Sequence, residues 1–312
     1  MNEQASIRIG TRGSPLALWQ ANEVKRRLHA AHDDLPDEAV EIVVITTTGD
    51  RIRDRALAAL GGKGLFTKEI EESLHAGDID LAVHSMKDMP TELPDGLEIS
   101  CLLPREDPRD AFLSNIASGI ADLPEGVVVG TASLRRQAQL LFQRPDLKVI
   151  TFRGNVDTRI AKLDAGDVAA TFLANAGLRR LERTERITAV IEPEEMLPAV
   201  AQGAVGVEIR SNDDATRARL APLHDVATEH AVTAERAMLA ALDGSCRTPI
   251  AGLALPDGEG GLWLRAEIVM PDGSERRVTE RRGSTADAFR MGDDAGAELK
   301  RQAGPAFLAE IL

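Results

Sequence analysis

The sequence predicts an α/β protein of more than one domain that closes with a small α+β unit. Three observations carry that expectation. Strand-like and helix-like segments alternate through the first two thirds of the chain, and the alternation restarts near residue 104. From about residue 221 it gives way to one helix, three strand-like runs and a last helix. At 312 residues the chain is too long for one small core and suits two or three domains.

Residues 6–10 alternate as a half-buried strand does. Ser14-Pro15 reads as the N-cap and first residue of a helix, in which Ala17, Ala21, Val24 and Leu28 share one face. Residues 41–47 are a β-branched run and a predicted strand. Gly61-Gly62-Lys63-Gly64 precedes a helix whose Phe66, Ile70 and Leu74 share a face. That loop lacks the spacing of a phosphate-binding P-loop and reads as a Gly-hinged loop over a crevice. Residues 79–83 form the next strand, and Pro90 closes the segment after it.

In the second block, residues 127–130, 149–152 and 168–173 read as strands. Each is followed by a turn and then by basic residues at or near the start of a helix. Thr131-Ala132-Ser133 leads into Leu134-Arg135-Arg136, Arg153-Gly154-Asn155 into a helix with Arg159, and Ala176-Gly177-Leu178 into Arg179-Arg180. Any one basic pair could be a solvated helix face. Ligands of open α/β sheets, however, sit outside the carboxyl ends of the strands, where helix N-termini present N–H groups to anions. The arginines are therefore expected to converge on a crevice that takes an anionic ligand.

Beyond residue 221 a helix is predicted over residues 228–242, with Val232, Leu239 and Leu242 inward and Gly244 as its C′ residue. Residues 250–255, 262–270 and 276–281 read as three antiparallel strands, separated by the turn signals Pro256-Asp257-Gly258 and Pro271-Asp272-Gly273. A last helix is predicted over residues 286–303.

Composition narrows the function classes. A net charge of −13 disfavours a nucleic-acid or anionic-membrane surface, so neither partner is expected. No run approaches the ~20 apolar residues of a membrane helix, and Met1-Asn2-Glu3-Gln4 lacks the basic and apolar regions of a secretory signal. Two cysteines, Cys101 and Cys246, make neither a disulfide framework nor a zinc pattern. A cytoplasmic protein without a metal is expected.

The segment from Ala82 to Pro90 puts Lys87 and Asp88 just past a strand end. They read equally as a surface ion pair or as groups facing the crevice, where a carboxylate could exchange protons or stabilise a developing cation. His84 reads as a structural, hydrogen-bonding residue rather than a catalytic one. By position alone Cys246 is a packing cysteine, although its loop setting beside Arg247 favours the thiolate where it is exposed. Cys101 lies in an apolar run and reads as a buried strand residue.

Several segments, taken in order, closely resemble the porphobilinogen deaminase (hydroxymethylbilane synthase) family. They are residues 11–20, 61–66, 83–90, 105–112 and 130–137, then Arg153-Gly154-Asn155-Val156, residues 197–206, Thr233-Ala234-Glu235-Arg236-Ala237 and the Cys246 loop. The resemblance implies two periplasmic-binding-protein-like α/β domains and a small α+β C-terminal domain with a three-stranded antiparallel sheet. The matching boundaries are residues 1–103 with 197–220, residues 104–196, and residues 221–312.

The resemblance further implies a dipyrromethane cofactor held by a thioether to Cys246, and Asp88 as the catalytic aspartate that also contacts the cofactor. Lys87, Thr131, Ser133, Arg135 and Arg136 fall on cofactor-binding positions. Arg12, Ser14, Arg153, Arg159, Arg180, Lys63 and Phe66 fall on substrate-binding ones. The implied reaction condenses four porphobilinogen molecules, with loss of ammonia, to hydroxymethylbilane in tetrapyrrole (heme) biosynthesis; the implied enzyme is a monomeric transferase. Arginine's planar fork suits the acetate and propionate groups of each pyrrole, which accounts for a basic crevice in an acidic chain.

The chain departs from the family pattern at Ala132, where serine is common, at Asp157, where glycine is frequent, and at Ser245 and Arg247 around the cysteine. Asp157 adds negative charge near the arginines, so its side chain is expected to point away from them. The alternative to an enzyme is a non-catalytic cytosolic anion-binding clamshell, which would need the arginines but neither Cys246 nor Asp88. A phosphoribosyl transferase would need a diphosphate loop and magnesium, and the sequence offers no such loop.

Overall fold

The computed structural model describes residues 7–51, 67–245 and 248–312. Lys63, Phe66 and Cys246, and the loop at residues 61–64, lie outside the described residues. The chain gathers into two compact units, Met1–Arg105 with Ala204–Glu229 and Glu106–Gly203 with His230–Leu312.

Along the chain, β1 (Ile7–Thr11), α1 (Pro15–Ala31), β2 (Val40–Val44), α2 (Thr48–Arg51), α3 (Lys68–Ala76), β3 (Leu81–Ser85) and β4 (Leu97–Leu102) come first. They are followed by β5 (Asp110–Ser114), β6 (Val128–Gly130), α4 (Leu134–Gln143), β7 (Lys148–Ile150), α5 (Val156–Asp164), β8 (Ala170–Ala174), α6 (Asn175–Arg180) and β9 (Ala189–Ile191). Next come β10 (Val205–Arg210), α7 (Asp214–Leu220) and α8 (Val226–Ala241). The chain ends with β11 (Ile250–Pro256), β12 (Gly261–Val269), β13 (Arg276–Ser284) and α9 (Ala288–Ile311).

In the first unit the sheet order is β2-β1-β3-β10-β4. β1 runs parallel to β2 and β3, while β10 is antiparallel to β3 and β4. Ser14 caps α1 as expected, its Oγ accepting from the Ala17 N–H, with Pro15 as the first helical residue. Ala21, Val24 and Leu28 of α1 pack with Ile9, Leu81, Val83 and Cys101 of the sheet. Ile70 and Leu74 of α3 pack with Ala82 and Ile79. Helices on both faces bury Leu81, Ala82, Val83 and His84 in succession, which is why β3 reads as an apolar run rather than an alternating one.

The second unit holds two sheets. One has the order β7-β6-β8-β5-β9, with β6 parallel to β7 and β8 and with β5 antiparallel to β8 and β9. Its core centres on Phe112 and Phe172, ring centroids 5.8 Å apart. The other is the antiparallel sheet β11-β12-β13, against which α9 packs. Gln139 of α4 ties residues 197–203 into this unit, donating to the Leu197 carbonyl at 2.9 Å while accepting from the Leu197 N–H at 2.7 Å. Gln137 likewise donates to the Pro271 carbonyl beside the β12–β13 turn. The fully buried Glu235 carboxylate accepts from the N–H groups of Ala201 and Ala254, joining α8, the 197–203 segment and β11.

The structure amends some local expectations. Gly244 is not the left-handed cap of α8; Asp243 takes that conformation (φ 55°), its N–H donating to the Ala240 carbonyl. Gly244 is small for another reason: a Cβ there would lie 2.4 Å from Ile250 Cδ1. The last helix continues past residue 303, but with a break at Gly304 (φ 70°), just before Pro305. Ala17 is half-buried rather than in the core. Among the described residues, no helix is long and apolar enough to cross a membrane, and no group of three or more His, Cys, Asp or Glu could hold a metal ion.

Candidate active site

Because β1 and β3 are parallel neighbours, their carboxyl ends lie on one edge of the sheet. Arg12 and Ser14 follow β1; Asp88 ends a 3-10 turn, Met86–Asp88, that follows β3 directly. That turn is held by the Met86 N–H donating to the Ala204 carbonyl and the Met89 N–H donating to Met86. Beneath it Gly206 of β10 leaves the needed space, since a Cβ there would sit 2.1 Å from Met86 Sδ. Arg12, Ser14, Gln20, His84, Ser85 and Asp88 line one cleft, with Leu16, Ala17, Thr67, Val83 and Met89. Asp88 is exposed there, and Lys87 beside it is half-buried.

The two side chains at the end of β3 are each fixed by a polar partner. Gln20 of α1 donates to Ser85 Oγ at 2.8 Å. His84 Nε2 lies 2.9 Å from Glu208 Oε2 of β10, both groups buried.

The second unit repeats the logic with opposite charge. Thr131 and Ser133 follow β6, Arg153 follows β7, and α6 follows β8. β5 runs the other way, so Asp110 at its start pairs in register with Ala174 at the end of β8. Asp110 therefore stands at the same edge. Its carboxylate accepts from Arg135 Nη1 and Arg136 Nη2, each at 2.8 Å, and from Gln202 Nε2. Arg135 also donates to the Leu197 carbonyl and Arg136 to that of Phe172. The buried Nε–H of each meets no acceptor among the described residues. Burial alone would raise the Asp110 carboxyl, but the two guanidiniums hold it well below the usual carboxylate range. Burial pulls the Arg135 guanidinium down from its ordinary value, with Asp110 opposing.

Further arginines stand around this pair. Arg159 is pushed down to about 10, chiefly by burial and then by the charges of Arg136 and Arg153. Arg180 is buried and donates to the Gly203 carbonyl at 2.7 Å. Thr131 Oγ1 accepts from the Ser133 N–H, and Ser133 Oγ caps α4 by accepting from the Arg136 N–H. Each hydroxyl thus spends an acceptor site on the backbone. Asp157 pairs with Arg183 at 3.1 Å, which occupies its added negative charge.

The structure thus gathers Arg12, Ser14 and Asp88 in one cleft and, in the second unit, sets Arg135 and Arg136 on Asp110 with Arg136 and Arg153 within charge range of Arg159. Sequence reasoning missed Asp110, Gln20 and Glu208. Asp110 lies in the segment 105–112 that carries the family resemblance, but only the antiparallel register puts it against two arginines more than twenty residues away. The polar run Gln20–Ser85 and the Glu208–His84 pair likewise join distant segments.

Two family descriptions match the chain: "Porphobilinogen deaminase, dipyromethane cofactor binding domain" over residues 7–218, and "Porphobilinogen deaminase, C-terminal domain" over residues 230–301. Porphobilinogen deaminase of Paracoccus denitrificans is 58% identical over 300 residues, covering 96% of this chain and 95% of that protein. The chloroplastic porphobilinogen deaminase of Oryza sativa subsp. japonica is 56% identical over 308 residues, covering 98% of this chain and 86% of that protein. Among solved structures, the methionine-binding protein MetQ aligns with 71% of this chain and 90% of its own at 15% identity and a TM-score of 0.44. The aliphatic sulphonate binding protein SsuA of Escherichia coli aligns over 77% and 71% at 14% identity and a TM-score of 0.42.

Proposed function

The chain belongs to the porphobilinogen deaminase family, enzymes of tetrapyrrole synthesis with porphobilinogen as substrate and a dipyrromethane cofactor, and from that premise we propose how its own residues divide the work. The reaction is a stepwise condensation of four porphobilinogen molecules, with loss of ammonia, to hydroxymethylbilane. We assign it to the transferases. Nothing in the comparisons favours the non-catalytic anion-binding alternative.

The residues suit a carboxylate-rich cofactor. Among the described residues two buried arginine Nε–H groups meet no acceptor, and Arg136 and Arg153 both bear on Arg159 with like charge. Acetate and propionate groups would satisfy both. In this reading Arg135, Arg136, Thr131, Ser133 and Lys87 hold the cofactor, and Cys246 attaches it. When bound, the dipyrromethane supplies a primer with a free α-carbon.

Arg12, Ser14, Arg153, Arg159 and Arg180 take the carboxylates of incoming substrate, with Lys63 and Phe66 contributing from outside the described residues. Asp88 carries the chemistry: its exposed carboxylate accepts the pyrrole N–H and stabilises the cation left when the substrate's C–N bond breaks. The single observation behind this reading is the cleft that unites Asp88 with Arg12 and Ser14 at the carboxyl ends of β1 and β3.

The division into three domains, at residues 1–103 with 197–220, 104–196 and 221–312, remains part of the proposal. The two separate sheets of the second unit support a division there, although residues 197–203 bond within that unit. A cytoplasmic monomer is proposed from the sparse cysteines and the family.

The deciding experiment is intact-protein mass spectrometry under denaturing conditions on wild type and Cys246→Ser. A mass increment of one dipyrromethane in wild type, missing from the variant, supports the assignment. Wild type that carries no increment, and gains none with porphobilinogen, overturns it.

A further inference from the structure

Residues 196–199 belong to no helix or strand, so no sheet ladder serves the N–H and carbonyl of Leu197. Gln139 of α4 takes the place of a neighbouring strand. Its buried amide donates from Nε2 to the Leu197 carbonyl at 2.9 Å and accepts at Oε1 from the Leu197 N–H at 2.7 Å. Pro198 stiffens the joint, because a residue before proline is held to extended backbone. The other side of the joint belongs to the three-stranded sheet. There the Leu197 side chain packs on Ala251 and Leu253, and the Pro198 carbonyl accepts from the Gly252 N–H at 3.2 Å.

Arg135 stands one turn before Gln139 on the same face of α4. Its Nη1 donates to that same Leu197 carbonyl at 2.8 Å and to Asp110 Oδ2 at 2.8 Å. A carbonyl oxygen has two lone pairs, and here the Gln139 amide and the Arg135 guanidinium take one each. The guanidinium needs such holding. Its Nε is buried with no acceptor among the described residues, a cost that the two Nη1 bonds have to offset. An apolar side chain of similar volume at 139 would fill the same place without a buried amide to satisfy, so packing alone does not call for glutamine. What the amide adds is the position of one carbonyl, and through it the position of Arg135. Gln137 gives the contrast: it donates to the Pro271 carbonyl at 3.1 Å, a bond toward the same sheet that carries no arginine among the described residues.

We propose that Gln139 is a positioning residue for the cofactor-holding Arg135. By clamping the Leu197 peptide it fixes the carbonyl on which the guanidinium rests, and so sets where that guanidinium meets a cofactor carboxylate. The same two peptides, Leu197 and Pro198, join α4 to β11, the strand that begins four residues after Cys246. The role rests on the assignment of Arg135 to the cofactor.

The test compares Gln139→Met, which keeps the volume and loses both bonds, with Gln137→Met as control and Arg135→Lys as the check on the premise. Each is measured as the full chain purified with its cofactor, verified by intact mass. Expected for Gln139→Met are the wild-type cofactor mass and a kcat lower by about tenfold with KM little changed. Solvent exchange of the Arg135 Nε–H should also be faster in nitrogen-edited proton spectra, where Arg135→Lys identifies the signal. Gln137→Met is expected to keep wild-type kcat and Arg135 exchange, even where it unfolds as readily as Gln139→Met. An unchanged kcat or an unchanged Arg135 signal in Gln139→Met, or equal losses in the two glutamine variants, overturns the proposal. Should Gln139→Met fail to fold or to carry cofactor, Gln139→Asn, whose amide is one methylene short, decides by the same criteria. Full turnover and cofactor mass in Arg135→Lys would reject the assignment of Arg135 itself, whereas full turnover in Gln139→Met alone rejects only the role of Gln139.

Discussion

The two α/β sheets have matching strand orders and opposite edges. Each places three successive parallel strands, β1–β3 in one and β6–β8 in the other, as second-first-third and inserts one antiparallel strand before the edge strand, β10 in one and β5 in the other. At the carboxyl edge of the first, an exposed carboxylate, Asp88, lines a cleft together with Arg12. At the edge of the second, a buried carboxylate, Asp110, is clamped between two buried arginines within a wider cationic cluster. One topology thus serves two physical tasks. An exposed aspartate is available to a substrate, whereas a buried one is committed to holding other charges in place.

The sharpest way to break that comparison is to neutralise each aspartate in turn. Asp110→Asn leaves two buried guanidiniums against a neutral amide, and removing one partner of a buried pair costs about 3–5 kcal/mol. The expected loss is in folding stability, read by denaturant unfolding. The sign with pH follows from the depressed carboxyl. Its contribution is complete at and above the ordinary carboxylate range and is lost only as pH falls through the depressed value. Wild type should therefore exceed Asp110→Asn by a constant margin from about pH 5 to 8, and a margin that vanished there would refute the clamp.

Asp88→Asn is the counterpart. An exposed side chain carries little stability, so unfolding should be unchanged while turnover falls by about 10²–10³-fold, the usual worth of one well-placed charge-stabilising group. Turnover measured on protein whose cofactor mass is intact checks this; comparable losses of stability in both variants would dissolve the contrast between the edges.

The smallest effect belongs to Glu71, beneath the first sheet's edge. Because burial and Glu208 raise its carboxyl, wild type loses stability as pH rises from the ordinary carboxylate value through the raised one. Glu71→Gln should match wild type in acid and be the more stable of the two at neutral pH. Thermal melts across that range are the measurement, and a variant equally or less stable at neutral pH would contradict the assignment of that burden to Glu71.

Much of the three successive parallel strands of each sheet was legible in the sequence, because β1, β2, β3, β6, β7 and β8 follow apolar or β-branched patterns and end where helix-capping residues begin. Ser14-Pro15 and Ser133 announce their helices by chemistry that acts within three residues, and the structure shows both caps. β5 and β10 were not read as strands. Neither is shorter than those six, but their partners β8 and β3 lie about sixty and one hundred and twenty residues away, and nothing local announces that pairing. The same distance hid Asp110 and Glu208.

What the sequence by itself determined is therefore the local part: which segments are helix or strand, where the helices start, and which residue types crowd the strand ends. The family resemblance added the chemistry. The tertiary structure alone decided which of those residues share an edge, because an antiparallel strand carries its first residue to the place where its neighbours finish. It also decided protonation. Arg159 is pushed down to about 10 and Cys101 up to about 12, and in both burial is the leading cause. Burial is a property of the packed core and the charges brought against it, and a list of residues in order does not contain it.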